Sequence, residues 1–263
     1  MADLGVILGD LAAESQAIDD VVAELPASDW ARQTPAEGWT IAHQIAHLAW
    51  TDRKALIAAR GSEADWQAEI EGLLATGESY VGEGAAEGAK TPPRALLEQW
   101  RTGRAELAEA LAAVPDGQKI PWYGPPMSAA SMVTARLMET WAHGQDIFDT
   151  LGLPRENTAR IWHIARFGTR TRDFAYKLNS LAPPAEEFRV ELTAPSGEVW
   201  AWGPEDAAQR VTGPAYDFCL RVTQRRHRDD LALVATGPDA DRWLDIAQAF
   251  AGPSGAGREP ARG

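Results

Sequence analysis

The sequence predicts an α plus α+β protein, a four-helix bundle followed by a small mixed domain. Three observations predict it. Apolar residues recur at helical spacing from the N-terminus to about Leu181, and the pattern switches to strict alternation after Ala182-Pro183-Pro184. Two pairs of metal-competent side chains, His43/His47 and Glu139/His143, stand four residues apart within two of the helical stretches. Residues four apart lie one above the other on a helix face, so two such helices side by side bring imidazole and carboxylate groups toward one divalent ion.

The elements follow in order. Leu4, Ile7, Leu8, Leu11, Ile18, Val21 and Val22 mark a first helix over residues 3–24, stopped by Pro26. Thr40 is placed to cap a second, carrying Ile41, Ile45 and Leu48 to about Arg60, and a shorter one is expected over 64–74. Residues 75–90, rich in Gly, Glu and Ala, read as a surface loop. Thr91-Pro92-Pro93 opens a helix through Leu96, Trp100 and Leu111, since proline is harmless in a first helical turn. Another runs from near Ser128 to about Thr150, Pro154 breaks it, and one more spans about 158–181. The first, second, Pro92 and Ser128 helices suit a four-helix bundle, whose core commonly holds metals between facing helices.

Beyond that point residues 188–193 and 199–202 alternate around the turn Pro195-Ser196-Gly197 and predict a hairpin. A helix over 215–223, a strand over 230–235 and a helix over 239–250 complete a small α+β unit. The expected division is therefore a bundle over 1–181, an α+β domain over 185–251 and a loose, Gly-, Pro- and Arg-rich tail over 252–263.

Composition excludes several functions. With 25 Lys+Arg against 38 Asp+Glu the net charge is -13, which repels phosphate backbones and leaves no basic stripe for nucleic acid or an anionic membrane. The start, M-A-D-L-G-V-I-L-G-D-L, lacks a basic leader and no window has the length of a membrane span, so a soluble cytoplasmic protein is expected. A single cysteine, Cys219, rules out an internal disulfide and Cys-based zinc motifs, so any metal must use His, Asp or Glu. Cys219 lies in the apolar run Y-D-F-C-L-R-V and reads as a buried small hydrophobe rather than a nucleophile.

The residues alone leave the metal reading open. His43 and His47 equally fit two ordinary core or surface histidines; Glu139 is harder to set aside, its plain reading being a surface ion pair with Arg136 beside His143. Glu139 shares a face with Arg136, His143 and Asp146 in an otherwise apolar helix. Eleven tryptophans include Trp39, Trp50 and Trp141 beside these residues, where rings can wall a dry pocket or simply pack the core.

The stretch G-W-T-I-A-H-Q-I-A-H-L-A (38–49) resembles the signature of the DinB-like metal-binding bundle of mycothiol-dependent maleylpyruvate isomerases, and R-L-M-E-T-W-A-H-G-Q-D-I (136–147) resembles that family's R-x-x-E-x-x-x-H-x-x-D motif. The resemblance implies a metal ligand set of His47, Glu139 and His143, with zinc or another divalent ion, and leaves His43 outside it, one turn earlier. It implies a sterol-carrier-like C-terminal domain whose helix ends in Gly-Arg; here V-T-Q-R-R puts Gln224 in the glycine's place and Arg225 nearest the arginine. Arg136 and Asp146, which stand in the second motif, are candidate catalytic residues; Arg225 by the resemblance, and Trp50 and His43 by their place beside the first motif, are candidate contacts to substrate or thiol.

With no reactive cysteine in the chain, a thiol nucleophile must arrive as a cofactor, mycothiol or a similar thiol. The implied enzyme is a zinc-dependent cis–trans isomerase or thiol transferase on a small unsaturated carboxylate or acyl substrate, acting as a monomer or homodimer. Two other classes fit the same residues: a metal hydrolase or lyase that activates water, and a non-enzymatic carrier of an apolar or acyl ligand with a structural metal.

Overall fold

A computed structural model describes residues 3–255 and 257–261. Met1 and Ala2 of the expected bundle, and Ala256, Arg262 and Gly263 of the expected tail, lie outside the described residues. The chain divides into two compact units, Met1–Pro154 and Arg155–Gly263.

The first unit is helical: α1 (Leu4–Ala23), α2 (Ile41–Arg60), α3 (Glu63–Thr76), α4 (Tyr80–Gly88), α5 (Pro93–Ala112) and α6 (Ala129–Leu151). Helices α1, α2, α5 and α6 form the expected bundle, with α3 and α4 packed along α2. Helices α1, α2 and α6 start at a side-chain cap, and α5 starts instead at Pro92-Pro93 with no side-chain cap. Asp3 accepts from the Gly5 amide at 2.7 Å, Thr40 accepts from the His43 amide and Ser128 from the Ser131 amide. Helix α6 ends at Gly152, whose φ of 67° is the left-handed conformation that a helix C-terminus favours in glycine. Ile18, Ile41, Ile45, Leu48, Leu96, Trp100 and Ile147 fill one end of the core, and Ile7, Ala55, Leu107, Leu111, Met132 and Leu137 the other.

Residues 80–88 are a helix and not the expected loop. The glycines that suggested a loop serve close packing: a Cβ on Gly84 would collide with the Trp50 indole, and one on Gly88 would come within 2.9 Å of the Ala46 methyl. Without those side chains α4 lies directly on α2.

The second unit contains α7 (Ile161–Arg170), α8 (Arg172–Leu178), β1 (Phe188–Thr193), β2 (Val199–Trp202), β3 (Gln209–Pro214), α9 (Ala215–Val222), β4 (Val234–Thr236) and α10 (Pro238–Ile246). Its sheet has the order β2-β1-β3-β4. The hairpin β1–β2 is antiparallel, with Leu192 opposite Trp200; β1 and β3 are parallel, with Val190 opposite Val211; β3 and β4 are antiparallel.

Three expectations are corrected here. The expected long helix over 158–181 breaks at Thr171 into α7 and α8. The central strand β3 was not expected, because Gln209-Arg210-Val211-Thr212-Gly213-Pro214 holds one large aliphatic side chain and no alternation. The division falls at Pro154 rather than near Leu181, because α7 packs on α9 and β2, and α8 on α10, within the second unit. The tail is irregular but held: Arg258 donates to the Arg225 carbonyl at 2.8 Å, and the Ala261 amide donates to the Asp230 carboxylate at 2.9 Å. No helix among the described residues is long and apolar enough to cross a membrane.

Candidate metal centre

Helices α2 and α6 bring together three side chains that are far apart in sequence. One donor atom each from His47, Glu139 and His143 lies within 4.8 Å of the others. Glu139 is the hinge of the group: its Oε2 is 3.4 Å from His47 Nε2 on α2 and 3.2 Å from His143 Nε2 one turn further along α6. His47 is buried, while Glu139 and His143 are half-buried, so the cluster faces a partly open side.

Two imidazole nitrogens and a carboxylate oxygen are the donor set of an open, catalytic zinc site, which keeps a fourth position for water or substrate. Four donors about 2.0–2.1 Å from a tetrahedral zinc stand about 3.3 Å apart. The two measured separations from Glu139 match that spacing. Burial opposes ionisation of Glu139, but hydrogen bonds from His143 and His47 and their fields outweigh it and hold the carboxyl well below the usual carboxylate range. The residues present therefore fit a divalent ion.

The surroundings differ for the two imidazoles. His143 Nδ1 is 2.5 Å from the Gln44 amide oxygen. His47 Nδ1 is buried with no hydrogen-bond partner among the described residues, and its ring is held by packing against Trp39 at 5.3 Å between centroids. Trp39 also stacks on His143 at 5.8 Å. This indole is delivered by the turn over residues 33–40, in which Gln33 bridges Thr40 and Gly38 takes a φ of 74°.

The other candidates fall elsewhere. His43 closes the α2 capping box, its Nδ1 2.8 Å from Thr40 Oγ1 and 3.3 Å from the Thr40 amide, and burial lowers its pKa. Trp50 packs against Tyr80 and Gly84 with the Lys54 ammonium 5.0 Å from its ring centre. Arg136 is 2 % exposed and its Nε donates to Asp52 at 2.9 Å, so its guanidinium is engaged in the core. Asp146 is fully buried, and Trp141 nearly so. Arg225, in the second unit, donates to the Thr223 carbonyl. Gln224, in the position where the resembled family has glycine, adopts a φ of 56° at the end of α9, which explains why glycine suits that place. Cys219 is fully buried, with Sγ 3.6 Å from the Ile161 carbonyl, and burial raises its thiol pKa far out of the reactive range. Sequence reasoning missed Gln44, which lies between the two histidines of its own motif.

A helical bundle with a His, Glu, His cluster across two of its helices, followed by a small mixed unit, defines the class. The family model described as the mycothiol maleylpyruvate isomerase N-terminal domain matches residues 11–148, just over half of the chain, and the chain belongs to that family. A model described as wyosine base formation matches residues 184–236. Uncharacterized proteins from two strains of Mycobacterium tuberculosis are 57% identical over 258 residues, covering 98% of this chain and all of the relative. The crystal structure of the mycothiol-dependent maleylpyruvate isomerase matches with a TM-score of 0.61 at 17% identity, covering 90% of this chain and 95% of that one. A histidine-to-alanine mutant of that isomerase matches with a TM-score of 0.62 at the same identity and coverage. At such identity these likenesses bear on the fold.

Proposed function

We propose that the chain is a metal-dependent enzyme that uses mycothiol or a similar low-molecular-weight thiol, as a cis–trans isomerase or thiol transferase on a small unsaturated carboxylate or acyl substrate. The observation that carries this reading is the convergence of His47, Glu139 and His143 at a partly open face of a bundle of this family. These three residues would hold zinc or another divalent ion. Such an ion supplies Lewis acidity and lowers the pKa of a thiol or water brought against it.

The chain's own residues account for the rest. Cys219 is buried and its thiol strongly disfavours ionisation, so the protein offers no thiolate and the nucleophile comes from outside. Glu139 is held ionised between the two imidazoles. The Trp39 ring covers both imidazoles and keeps water from that side.

The isomerisation balances without an oxidant. The thiolate sulfur bonds to one carbon of a cis-alkene conjugated with a carbonyl, and the π pair moves toward that carbonyl. Rotation about the resulting single bond follows. The pair then returns, the C–S bond breaks, and thiolate leaves with the trans-alkene. In a transfer reaction the adduct keeps its C–S bond and takes a proton on the adjacent carbon.

Cobalt substitution tests the reading, because thiolate ligation gives a charge-transfer absorption that water or carboxylate ligation does not. Titrating mycothiol into the cobalt form is expected to produce that band. An unchanged spectrum at saturating thiol, with thiol-independent turnover of an ester, amide or hydratable substrate, would replace it with the water-activating alternative.

A further inference from the structure

Gln44 is fully buried between His43 and Ile45 on α2 and makes two hydrogen bonds that fix which way its amide faces. Its Nε2 donates to Thr34 Oγ1 at 2.9 Å, and the Thr34 hydroxyl donates onward to the Trp39 carbonyl at 2.8 Å. The Thr34 hydroxyl proton is thus spent, and Thr34 Oγ1 can only accept from Gln44. That leaves the Gln44 carbonyl oxygen facing His143 Nδ1 at 2.5 Å. An amide oxygen has no proton to give, so His143 must donate from Nδ1. Reversing the amide would set its NH2 against the imidazole and its oxygen against Thr34. The hydroxyl would then have to turn away from the Trp39 carbonyl.

We infer that Gln44 is a positioning residue for the candidate metal centre: through the Trp39–Thr34–Gln44 chain it holds a proton of His143 on Nδ1 and leaves Nε2, which faces Glu139 and His47, as the atom that would ligate the ion. The inference rests on the metal reading above, and it assigns a role to a residue that neither binds the ion nor reaches the substrate. A ligating histidine commonly donates its other N–H to an acceptor, and losing that acceptor costs about 10–100-fold in metal affinity. His47 has no such acceptor among the described residues and is held by packing on Trp39, so control through a second hydrogen bond falls to the His143 side. The turn over residues 33–40 then has two functions at once. Its Trp39 ring covers the imidazoles, and its Trp39 carbonyl anchors the chain of hydrogen bonds that orients one of them.

Zinc affinity, measured by competition with a chromophoric chelator, and 15N imidazole spectra of the zinc-loaded protein test the inference. Gln44→Leu keeps the volume and removes the acceptor; it should lose about 10–100-fold in zinc affinity and the protected His143 Nδ1 proton signal. Gln44→Glu retains an acceptor and should bind zinc within a few-fold of the unsubstituted chain. Thr34→Val frees the amide to turn and should weaken zinc binding by a smaller factor, which keeps the inference testable if Gln44→Leu does not fold. Unchanged affinity and an unchanged His143 spectrum in Gln44→Leu, or in Thr34→Val where that is the variant that folds, would overturn it while leaving the metal centre in place. Failure of the unsubstituted chain to bind zinc would remove the metal reading and this inference together.

Discussion

Arg136 Nε lies 2.9 Å from Asp52 Oδ1, and this buried ion pair joins α2 to α6 close to where His47 and Glu139 approach each other. Asp52 lies five residues beyond His47, and Arg136 three before Glu139, so the His47–Glu139 contact and the ion pair are successive rungs between the same two helices. Trp100 Nε1 donates to the other Asp52 oxygen at 3.2 Å and brings α5 into the same arrangement.

Removing one member of such a pair strands a buried charge. Asp52→Ala or Arg136→Ala should each destabilise the protein by about 3–5 kcal/mol, while Asp52→Leu combined with Arg136→Met should cost clearly less than the sum. Urea unfolding of the two singles and the double measures this. Additive losses would mean the two residues are stabilised separately.

The ligand set makes a sharper prediction. Alanine at His47, Glu139 or His143 should remove most bound metal by elemental analysis, whereas His43→Ala should keep the stoichiometry. Its cost should instead be about 0.5–1 kcal/mol of stability, because His43 completes the α2 capping box. Equal metal loss at His43 would require a fourth ligand.

Asp19 gives a pH dependence. Its carboxylate, 2 % exposed, accepts from Arg101 at 2.6 and 2.9 Å and from Arg104 at 2.7 Å, and the Arg101 hydrogen bonds lead in holding its pKa below 3.8. The native state therefore binds fewer protons than the unfolded one, and stability rises with pH. The contribution is complete above the unfolded value and is lost as pH falls through the lower native one. Asp19→Asn should cost about 1–2 kcal/mol near neutrality, discounted for the partial exposure of Arg101, and should flatten the stability curve below about pH 4. Urea midpoints from pH 2 to 7 would show no such flattening if the pair were screened out.

The revised boundary is also testable. A fragment ending at Pro154 should fold as a helical unit and bind metal, whereas one ending at Leu181 carries α7 and α8 without the strands and helices they pack on. The longer fragment should aggregate or bind a hydrophobic dye. If only the longer one folds, residues 155–181 complete the bundle.

The bundle was legible because its helices carry their own punctuation: Thr40, Pro92-Pro93 and Ser128 at the starts of apolar repeats, Pro26 and Pro154 after them. Helical spacing singled out the pairs His43/His47 and Glu139/His143, while the choice of His47, Glu139 and His143 as one set came from the family resemblance. The misreadings share one cause. Gly84 and Gly88 signal a loop in sequence and close packing in space, and Val211 becomes central only once Val190 lies beside it in the sheet. Gln44 gave no signal because its meaning lies in a hydrogen-bond partner 99 residues away. The boundary at Pro154 was likewise hidden, since α7 has the same local periodicity as a bundle helix.

The packing of α4 on α2 limits how this chain can diverge. Ala46 adjoins His47 in sequence and meets the α4 backbone at Gly88, while Trp50, one turn later, fills the gap left by Gly84. Enlarging any of Ala46, Gly84 or Gly88 pushes α4 off α2, and shrinking Trp50 opens a void against it. One side of α2 thus carries the candidate ligand His47 and the other is closed to drift by volume. Substitutions that retune the reaction without unseating the helix must accumulate elsewhere, on the turn over residues 33–40 or at the exposed rim of the cluster.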